Sequence, residues 1–445
     1  MLLDDVAFPA DTPVSFVEPD AETASPRRRR QLQERRLSGL IDRLLAADGV
    51  QAARLRDAGV SAGADVHLAD LPKLPLLNRR DLLEHGSAGF YAVSMREVAC
   101  VHGSSAQYGT PIRVPYTTTD VEIWAKVMAR ALGGAGTHTK SIIHNAYNYG
   151  LFTGGMGVHH GGLRIGANVL PAASGTPERQ ARLIINLRPD VLCCTPSHAL
   201  ALGAALHSAG VADSPLRVGL LGAEMWTDRQ RLEIERILRI RAFDVYGLSE
   251  VIGPGVAAES IDSGGKLNIA EDHFYPEVID ESGAVLPPGV RGELVFTTLT
   301  KTGMPLLRYR TGDIATLFEP PDGAARTLRR MSRVVGRRSD LLSCGVFPSD
   351  VETVLLADGR VRPHYLLVED RRGSTPELYV AVEPASAATN PADLGRDLAV
   401  LLRQQLDIRA QPRVYPHGEL PRAATGKQLR LYRWSAGEPP IPGLT

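Results

Sequence analysis

The chain has 445 residues, 44% of them hydrophobic and 22% charged, which excludes a disordered chain, a collagen-like repeat and a disulfide scaffold and favours two or three domains. Lys plus Arg and Asp plus Glu each come to 50, so no net field points to nucleic acid or an anionic membrane. Only six of the 50 basic residues are lysines (Lys73, Lys126, Lys140, Lys266, Lys301 and Lys427); base composition is the simplest cause, yet each lysine kept raises the question of what arginine could not do there.

In chain order, residues 1–26 are polar and Pro-containing and read as an arm ordered on the surface. The opening M-L-L-D-D-V-A-F-P lacks the basic region of a signal peptide, and no apolar run reaches membrane-spanning length. Arg27 to Arg30 open a mixed-charge amphipathic stretch and read as a solvated helix start rather than a nucleic-acid patch. Leucines at helical spacing predict helices over 28–60. Beyond them, the runs S-I-I-H-N-A, A-N-V-L-P, V-L-C-C-T-P, R-V-G-L-L-G and F-D-V-Y-G alternate with helical stretches such as 177–188 and 227–239. That alternation predicts a buried, largely parallel sheet, an α/β fold. Over 291–318 the pattern turns to antiparallel β, as a barrel or a flanking sheet. A charged turn near 336–340 marks a boundary between a large domain, 1–338, and a small one, 339–445. The small domain carries strands at 364–369 and 377–383, a helix at 392–407 and a polar tail. Cys100, Cys193, Cys194 and Cys344 show no metal-ligand spacing, and the adjacent pair forms no ordinary bridge, so a reducing cytosol fits.

Several stretches carry chemistry. Gly222-Ala223-Glu224 ends an apolar strand, which puts backbone groups at the carboxyl edge of a sheet where α/β proteins bind ligands; an ordinary strand-to-helix turn looks the same. In Tyr246-Gly247-Leu248-Ser249-Glu250 the tyrosine offers a flat face for a base and Glu250 offers hard oxygen for Mg²⁺; the alternative is a core tyrosine beside a surface turn. Asp313, after the glycine of R-Y-R-T-G-D, can accept two ribose hydroxyls or simply sit in a tight turn. Lys427 ends a polar loop; it is a tail residue, or a compact ammonium that reaches between a carboxylate and a phosphate. Asn145, Tyr147, Tyr149 and Phe152 fit a flat aromatic substrate with a polar substituent, or are core aromatics beside a Gly-rich turn. His159 and His160 are metal ligands or, since no partners stand at ligand spacing, surface or capping residues, the favoured reading. Glu271-Asp272-His273 has no role derivable from the sequence.

The motifs L-P-K-L-P-L-L-N-R-R-D-L-L, H-N-A-Y-N-Y-G-L-F-T-G-G-M-G, G-A-E-M-W-T, V-Y-G-L-S-E-V-I-G-P-G-V-A, E-D-H-F-Y-P-E, G-E-L-V-F-T-T-L-T-K and R-Y-R-T-G-D occur in register from about residue 68, and the likeness runs on to about 431. Together they resemble the phenylacetate–CoA ligase group of the adenylate-forming superfamily. The resemblance implies a large adenylate-forming domain of mixed, largely parallel sheets with a small β-barrel-like part, and a small mobile α+β domain that rotates about a hinge matching Asp340. It implies attack of an aryl or arylacetic carboxylate on the α-phosphate of ATP, with Mg²⁺, then displacement of AMP by a thiol such as that of coenzyme A. By motif, Gly222, Ala223 and Glu224 would line the adenine and Tyr246, followed by Gly247, would stack on it. Ser249 and Glu250 would face phosphate and Mg²⁺. Asp313 would hold the ribose, with Arg337 or Arg338 nearby, and Lys427 would bridge carboxylate and α-phosphate. Asn145, Tyr147, Tyr149 and Phe152 would bind the acid. The partners implied are the aromatic acid and coenzyme A or a carrier protein, with neither nucleic acid nor membrane; a homodimer and a cytoplasmic location complete the expectation.

Two stretches depart from the family form. The phosphate loop S-S-G-T-T-G-K-P is here Ser104-Ser105-Ala106-Gln107-Tyr108-Gly109-Thr110-Pro111, so a glycine and the lysine are gone. Glycine lets successive amides converge on phosphate, so this loop should be stiffer. Either Ser104, Ser105, Gly109 and Thr110 suffice with Mg²⁺, or ATP use is altered, or Tyr108 lines a ligand pocket. The hinge loop Gly336-Arg337-Arg338-Ser339-Asp340 to Pro348 is about three residues shorter than the family form, which questions coenzyme A as acceptor more than it questions adenylation. The readings that follow are an aryl-acid ligase; an adenylating enzyme with a carrier-protein, amine or other acceptor in secondary metabolism; and a degenerate nucleotide- or acid-binding protein.

Overall fold

Runs of apolar residues only four or five long cannot fill a helix but can cross a sheet that is covered on both faces. The computed structural model describes residues 14–104, 111–211, 213–421 and 430–444. The described chain packs as two units, one drawing on Met1–Thr195, Ala199–Ala223 and Glu235–Arg333, the other on Pro196–His198, Glu224–Ile234 and Val334–Thr445. The helices are α1 (Pro19–Glu22), α2 (Pro26–Ala47), α3 (Val50–Asp57), α4 (Arg79–Glu84), α5 (Thr118–Gly134), α6 (Thr153–Ile165), α7 (Pro177–Leu187), α8 (Pro196–Ser208), α9 (Asp228–Leu238), α10 (Pro348–Ala357) and α11 (Pro391–Leu406). The strands are β1 (Val98–Gly103), β2 (Arg113–Thr117), β3 (Ile142–Asn145), β4 (Asn168–Leu170), β5 (Val191–Cys194), β6 (Val218–Gly222), β7 (Arg241–Leu248), β8 (Gly253–Ala258), β9 (Leu267–Ile269), β10 (Phe274–Ile279), β11 (Arg291–Thr298), β12 (Tyr309–Phe318), β13 (Arg330–Met331), β14 (Gly336–Arg337), β15 (Val361–Asp370), β16 (Glu377–Pro384), β17 (Gln411–Val414) and β18 (Leu431–Trp434).

In the first unit β4, β3, β5, β6 and β7 lie side by side and parallel. β5 and β6 are buried at every position, which is why they read as unbroken apolar runs rather than alternation. β8 and β9 continue the sheet antiparallel, and the two-residue β13 links β9 to the antiparallel set β12, β11 and β10. The antiparallel stretch expected over 291–318 is therefore hydrogen-bonded into the same strand order as the parallel core.

The described part of the surface arm expected over 1–26, residues 14–26, is exposed or half-buried except at one anchor. Among its described residues Glu22 is buried; its Oε1 accepts the amides of Val17 and Glu18 at 2.8 Å each, and its Oε2 accepts Arg326 Nε at 2.9 Å. Arg130 grips Asp272 through Nη1 and Nη2 at 2.7 and 3.0 Å and donates from Nε to Glu18 at 2.6 Å. Glu271 takes Arg29 at 3.2 Å and Arg329 at 2.6 Å. Glu271-Asp272-His273 thus anchors α2 and the segment before it to the turn between β9 and β10.

The second unit has the strand order β17, β16, β15, β18, with β15 antiparallel to β16 and parallel to β18. Leu367 of β15 packs with Val380, Val382 and Leu394, Leu398 and Leu402 of α11. Leu366 and Val368, on the opposite face, pack with Ala381 and Trp434. No helix among the described residues is long and apolar enough to cross a membrane. The four cysteines are free, and Cys344 is exposed rather than built into a core.

Burial pushes the His273 imidazole from 6.5 down to about 4, with Asp272 only partly offsetting it. Burial alone would raise Asp272, but His273, Arg130 and Arg36 hold it well below the usual carboxylate range. Between pH 6.5 and 4 the unfolded imidazole binds a proton that the folded one refuses, so stability falls as pH falls, by at most about 1.4 kcal/mol per unit from this group. A melting series from pH 7.5 to 4.5 should show that decline, and His273→Gln should flatten it.

Candidate active site

Because β3, β5, β6 and β7 run parallel, their carboxyl ends share one edge of the sheet, the edge at which open α/β sheets bind ligands. Asn145 ends β3, Gly222 ends β6, and Tyr246 and Gly247 lie just before the end of β7. Both glycines are required by close approach. A Cβ on Gly222 would lie 2.2 Å from the Val245 carbonyl oxygen, and one on Gly247 would lie 1.7 Å from that of Gly253. Ala223, exposed just beyond the edge, holds a left-handed φ of +67°, which costs a non-glycine residue about 1–2 kcal/mol.

Tyr246 and Asp313, read from separate motifs, are joined: the phenol donates to Asp313 Oδ2 at 2.7 Å. Asp313 is buried, its amide donates to Thr311 Oγ1 at 3.0 Å, and the Tyr246 ring lies tilted 6.2 Å from Phe296. Next in the chain, Ser249 and Glu250 form a turn. Ser249 Oγ lies 3.3 Å from Thr153 Oγ1 and 3.4 Å from the Gly103 carbonyl. Glu250 is buried and accepts Arg79 Nη1 at 2.8 Å; the same nitrogen donates to Ser104 Oγ at 3.0 Å. Ser104 Oγ also accepts the Ile112 amide at 2.9 Å. Ser105, Gly109, Thr110 and Lys427 lie outside the described residues.

Two side chains reach the main chain of the same turn. Tyr116 donates its hydroxyl to the Ser249 carbonyl at 3.1 Å, and Lys301 Nζ donates to the Glu250 carbonyl at 2.8 Å. Burial pulls the Lys301 amine down to about 8 against the pull of Asp120 and Glu250. Sequence reasoning gives none of the three a role; the signals present are that Arg79 and Lys301 fall in family-like motifs and that a lysine is kept at all, while Tyr116 carries none.

Of the residues read as acid-binding, three form one cluster. Asn145 Nδ2 donates to the Tyr149 hydroxyl at 2.7 Å and the Gly155 carbonyl at 2.8 Å, while its Oδ1 accepts the Tyr147 amide at 3.3 Å. The Tyr149 hydroxyl is 3.2 Å from His159 Nδ1, and burial pushes its phenol up to about 12. His159 is therefore a half-buried partner of Tyr149 rather than a surface or capping residue. Phe152 stands apart at the start of α6, 43% exposed.

In the second unit, Glu224 accepts the Ser197 hydroxyl and amide at 2.9 and 3.2 Å. Arg337 ends β14, and Arg338 to Asp340 form a single tight turn in which Ser339 Oγ donates to Asp340 at 3.2 Å. Among the described residues no three His, Cys, Asp or Glu side chains converge as a metal cage. Glu250 as one buried carboxylate suits Mg²⁺, which is held by one or two carboxylates together with substrate phosphates.

Residues 126–300 match the model of the AMP-binding enzyme family, and residues 343–432 that of the AMP-binding enzyme C-terminal domain. With the sheet-edge site, these matches define an ATP-dependent, adenylate-forming ligase. The chain is 39% identical over 437 residues to a phenylacetate-coenzyme A ligase of Thermus thermophilus, covering 93% of this chain and 98% of that one. It is 40% identical over 423 residues to a phenylacetate-coenzyme A ligase of Escherichia coli K12, covering 92% and 96%. The chain belongs to the phenylacetate-coenzyme A ligase family, whose chemistry is acyl- or aryl-CoA formation through an adenylate. Among solved structures, 2-hydroxyisobutyryl-CoA ligase in the postadenylation state shares the fold, with a TM-score of 0.87 at 21% identity over 97% of this chain and 94% of that one. An anthranilate CoA ligase bound to anthranoyl-AMP has a TM-score of 0.58 at 18% identity over 76% and 67%.

Adding one methyl at Gly247 sets it against backbone on the neighbouring strand, with no flexible side chain to yield. Gly247→Ala should cost about 3 kcal/mol, read as a lower denaturant midpoint at unchanged m-value.

Proposed function

We propose that the substrate is an aryl or arylacetic acid, activated as its acyl-AMP with release of pyrophosphate and transferred to the thiol of coenzyme A. A carboxylate oxygen bonds to the α-phosphorus as the bond to pyrophosphate breaks. The coenzyme A sulfur then bonds to the acyl carbon as the bond to AMP breaks. The single observation that carries the nucleotide half of this reading is the Tyr246–Asp313 hydrogen bond at 2.7 Å, at the carboxyl edge of the sheet and a few residues before Glu250. It fixes a flat ring for adenine and orients the Asp313 carboxylate as an acceptor for a ribose hydroxyl. Gly222 and Ala223 offer backbone to the base. Ser249 and Glu250 face the phosphates, Glu250 being the residue that would hold Mg²⁺, whose charge offsets that of the triphosphate. Lys427 is assigned the cation between carboxylate and α-phosphate, where charge builds as the two anions meet. Asn145, Tyr147 and Tyr149 support the aromatic acid reading, their polar cluster being suited to a substituent on the ring. The four free thiols fit a cytosolic setting.

The short hinge loop from Gly336 to Pro348 favours a second acceptor reading, in which a carrier protein or an amine replaces coenzyme A. A panel of aryl acids assayed for pyrophosphate release, with and without coenzyme A, and followed by mass spectrometry separates these. Aryl-CoA supports the main reading; aryl-AMP that never becomes aryl-CoA supports the second; no acid-dependent pyrophosphate release with any acid sinks both. Lys427→Ala should lower acid-dependent ATP–pyrophosphate exchange by about 10²-fold or more.

A further inference from the structure

The Ser249–Glu250 turn carries the hydroxyl and carboxylate that the adenylation reading sets at the phosphates, and its two successive carbonyls are each met by a buried donor. The Tyr116 hydroxyl takes the Ser249 carbonyl at 3.1 Å and Lys301 Nζ takes the Glu250 carbonyl at 2.8 Å. The two donors are themselves in contact, Nζ lying 4.9 Å from the centre of the Tyr116 ring, and both side chains are essentially without exposure. They come from distant elements, β2 and the turn after β11. That turn is tied down by Asp120 at the start of α5, whose carboxylate accepts the Thr302 amide and hydroxyl at 2.7 and 3.0 Å, the Gly303 amide at 2.8 Å and the Thr117 amide at 3.1 Å.

An ammonium taken out of water costs several kcal/mol, and an apolar side chain of the same length would fill the slot without that cost. What a methionine could not do is donate to the Glu250 carbonyl. With both carbonyls bound, the turn's backbone is held at two successive points, which fixes where the Ser249 and Glu250 side chains leave the chain, while Arg79 separately holds the Glu250 carboxylate. We propose that Lys301 and Tyr116 are positioning residues for adenylation, holding the Ser249–Glu250 backbone so that its hydroxyl and carboxylate stay aligned with the nucleotide's phosphates. This rests on the adenylation reading above.

The test compares the full-length wild type with Tyr116→Phe, Lys301→Met and the double variant. It measures kcat and the KM for the acid in ATP–pyrophosphate exchange, AMP affinity by calorimetry, and the melting temperature. Lys301→Met should lower kcat about 10²-fold and Tyr116→Phe about tenfold, the scale of a misplaced reacting group, with AMP affinity and the KM for the acid within about twofold of wild type. The double variant should fall well short of the product of the two losses, because both act on one turn. Variants that keep wild-type kcat well below their melting temperature overturn the proposal, whatever stability they lose. So does a loss of AMP affinity that matches the loss of kcat, which would mean the whole site had collapsed. If Lys301→Met does not fold, Tyr116→Phe, which deletes one oxygen, decides alone. An active wild type with unchanged variants overturns this proposal by itself; a wild type inactive on every acid overturns the adenylation reading and this proposal together.

Discussion

One turn, Ser249–Glu250, gathers contacts from Arg79 in α4, Gly103 in β1, Tyr116 in β2, Thr153 in α6 and Lys301 after β11. A turn that leaves a strand has main-chain groups no ladder can satisfy, and such turns ordinarily lie in water and move. Here the carbonyls are met from within the protein, so the turn keeps one shape without solvent. The surrounding architecture serves this. α5 is capped at Thr117 and Asp120, Asp120 fixes the turn after β11, and that turn delivers Lys301. The Glu250 carboxylate is answered separately by Arg79, so side chain and backbone of the same residue are set by different cations.

Elsewhere in the first unit, too, buried charge is answered by arginine. Arg308, in the R-Y-R-T-G-D motif, is 2% exposed; it donates from Nε to Glu277 at 3.1 Å and from Nη1 to the carbonyls of Leu74 and Pro72 at 2.6 and 3.0 Å. It thereby ties β12 to the chain segment before α4. Arg130 and Arg326 do the same for the N-terminal segment. Such pairs are weak evidence for net stability, since removing both partners can be neutral, but removing one leaves a buried charge unanswered and costs about 3–5 kcal/mol. Their effect is to fix which segments meet. A guanidinium suits that work because one planar group can serve a carboxylate and two carbonyls at once.

The parts of the fold that local chemistry dictates are legible in the sequence itself. β5 and β6 stand out as short apolar runs because both faces of a parallel sheet are covered, and α7 and α9 because their apolar residues recur with helical period. Gly222 and Gly247 stand out in motifs, and close approach of backbone explains why no larger residue serves. What stays hidden is whatever depends on partners far along the chain. Glu22 meets Arg326 across 304 positions, and an acidic residue in a polar stretch carries no mark of that. Tyr116 reaches the site across 133 positions, from a stretch whose local pattern only says strand. His159 is misread from sequence for a related reason: metal-ligand spacing is a test of histidine with histidine, whereas its partner is the Tyr149 hydroxyl.

The scarcity of lysine bears on the same distinction. Lys73 pairs with Asp70 at the surface and Lys266 lies over the Phe318 ring at 4.4 Å, contacts an arginine would make equally well. Lys301 is different in kind. Its slot presents one carbonyl at 2.8 Å and one aromatic face, not a carboxylate fork, and the side chain is 1% exposed. A planar guanidinium would bring five donors to a slot that presents the Glu250 carbonyl as acceptor. In a chain with six lysines among 50 basic residues, a point charge donating to one carbonyl over an aromatic face suits the lysine beneath Glu250.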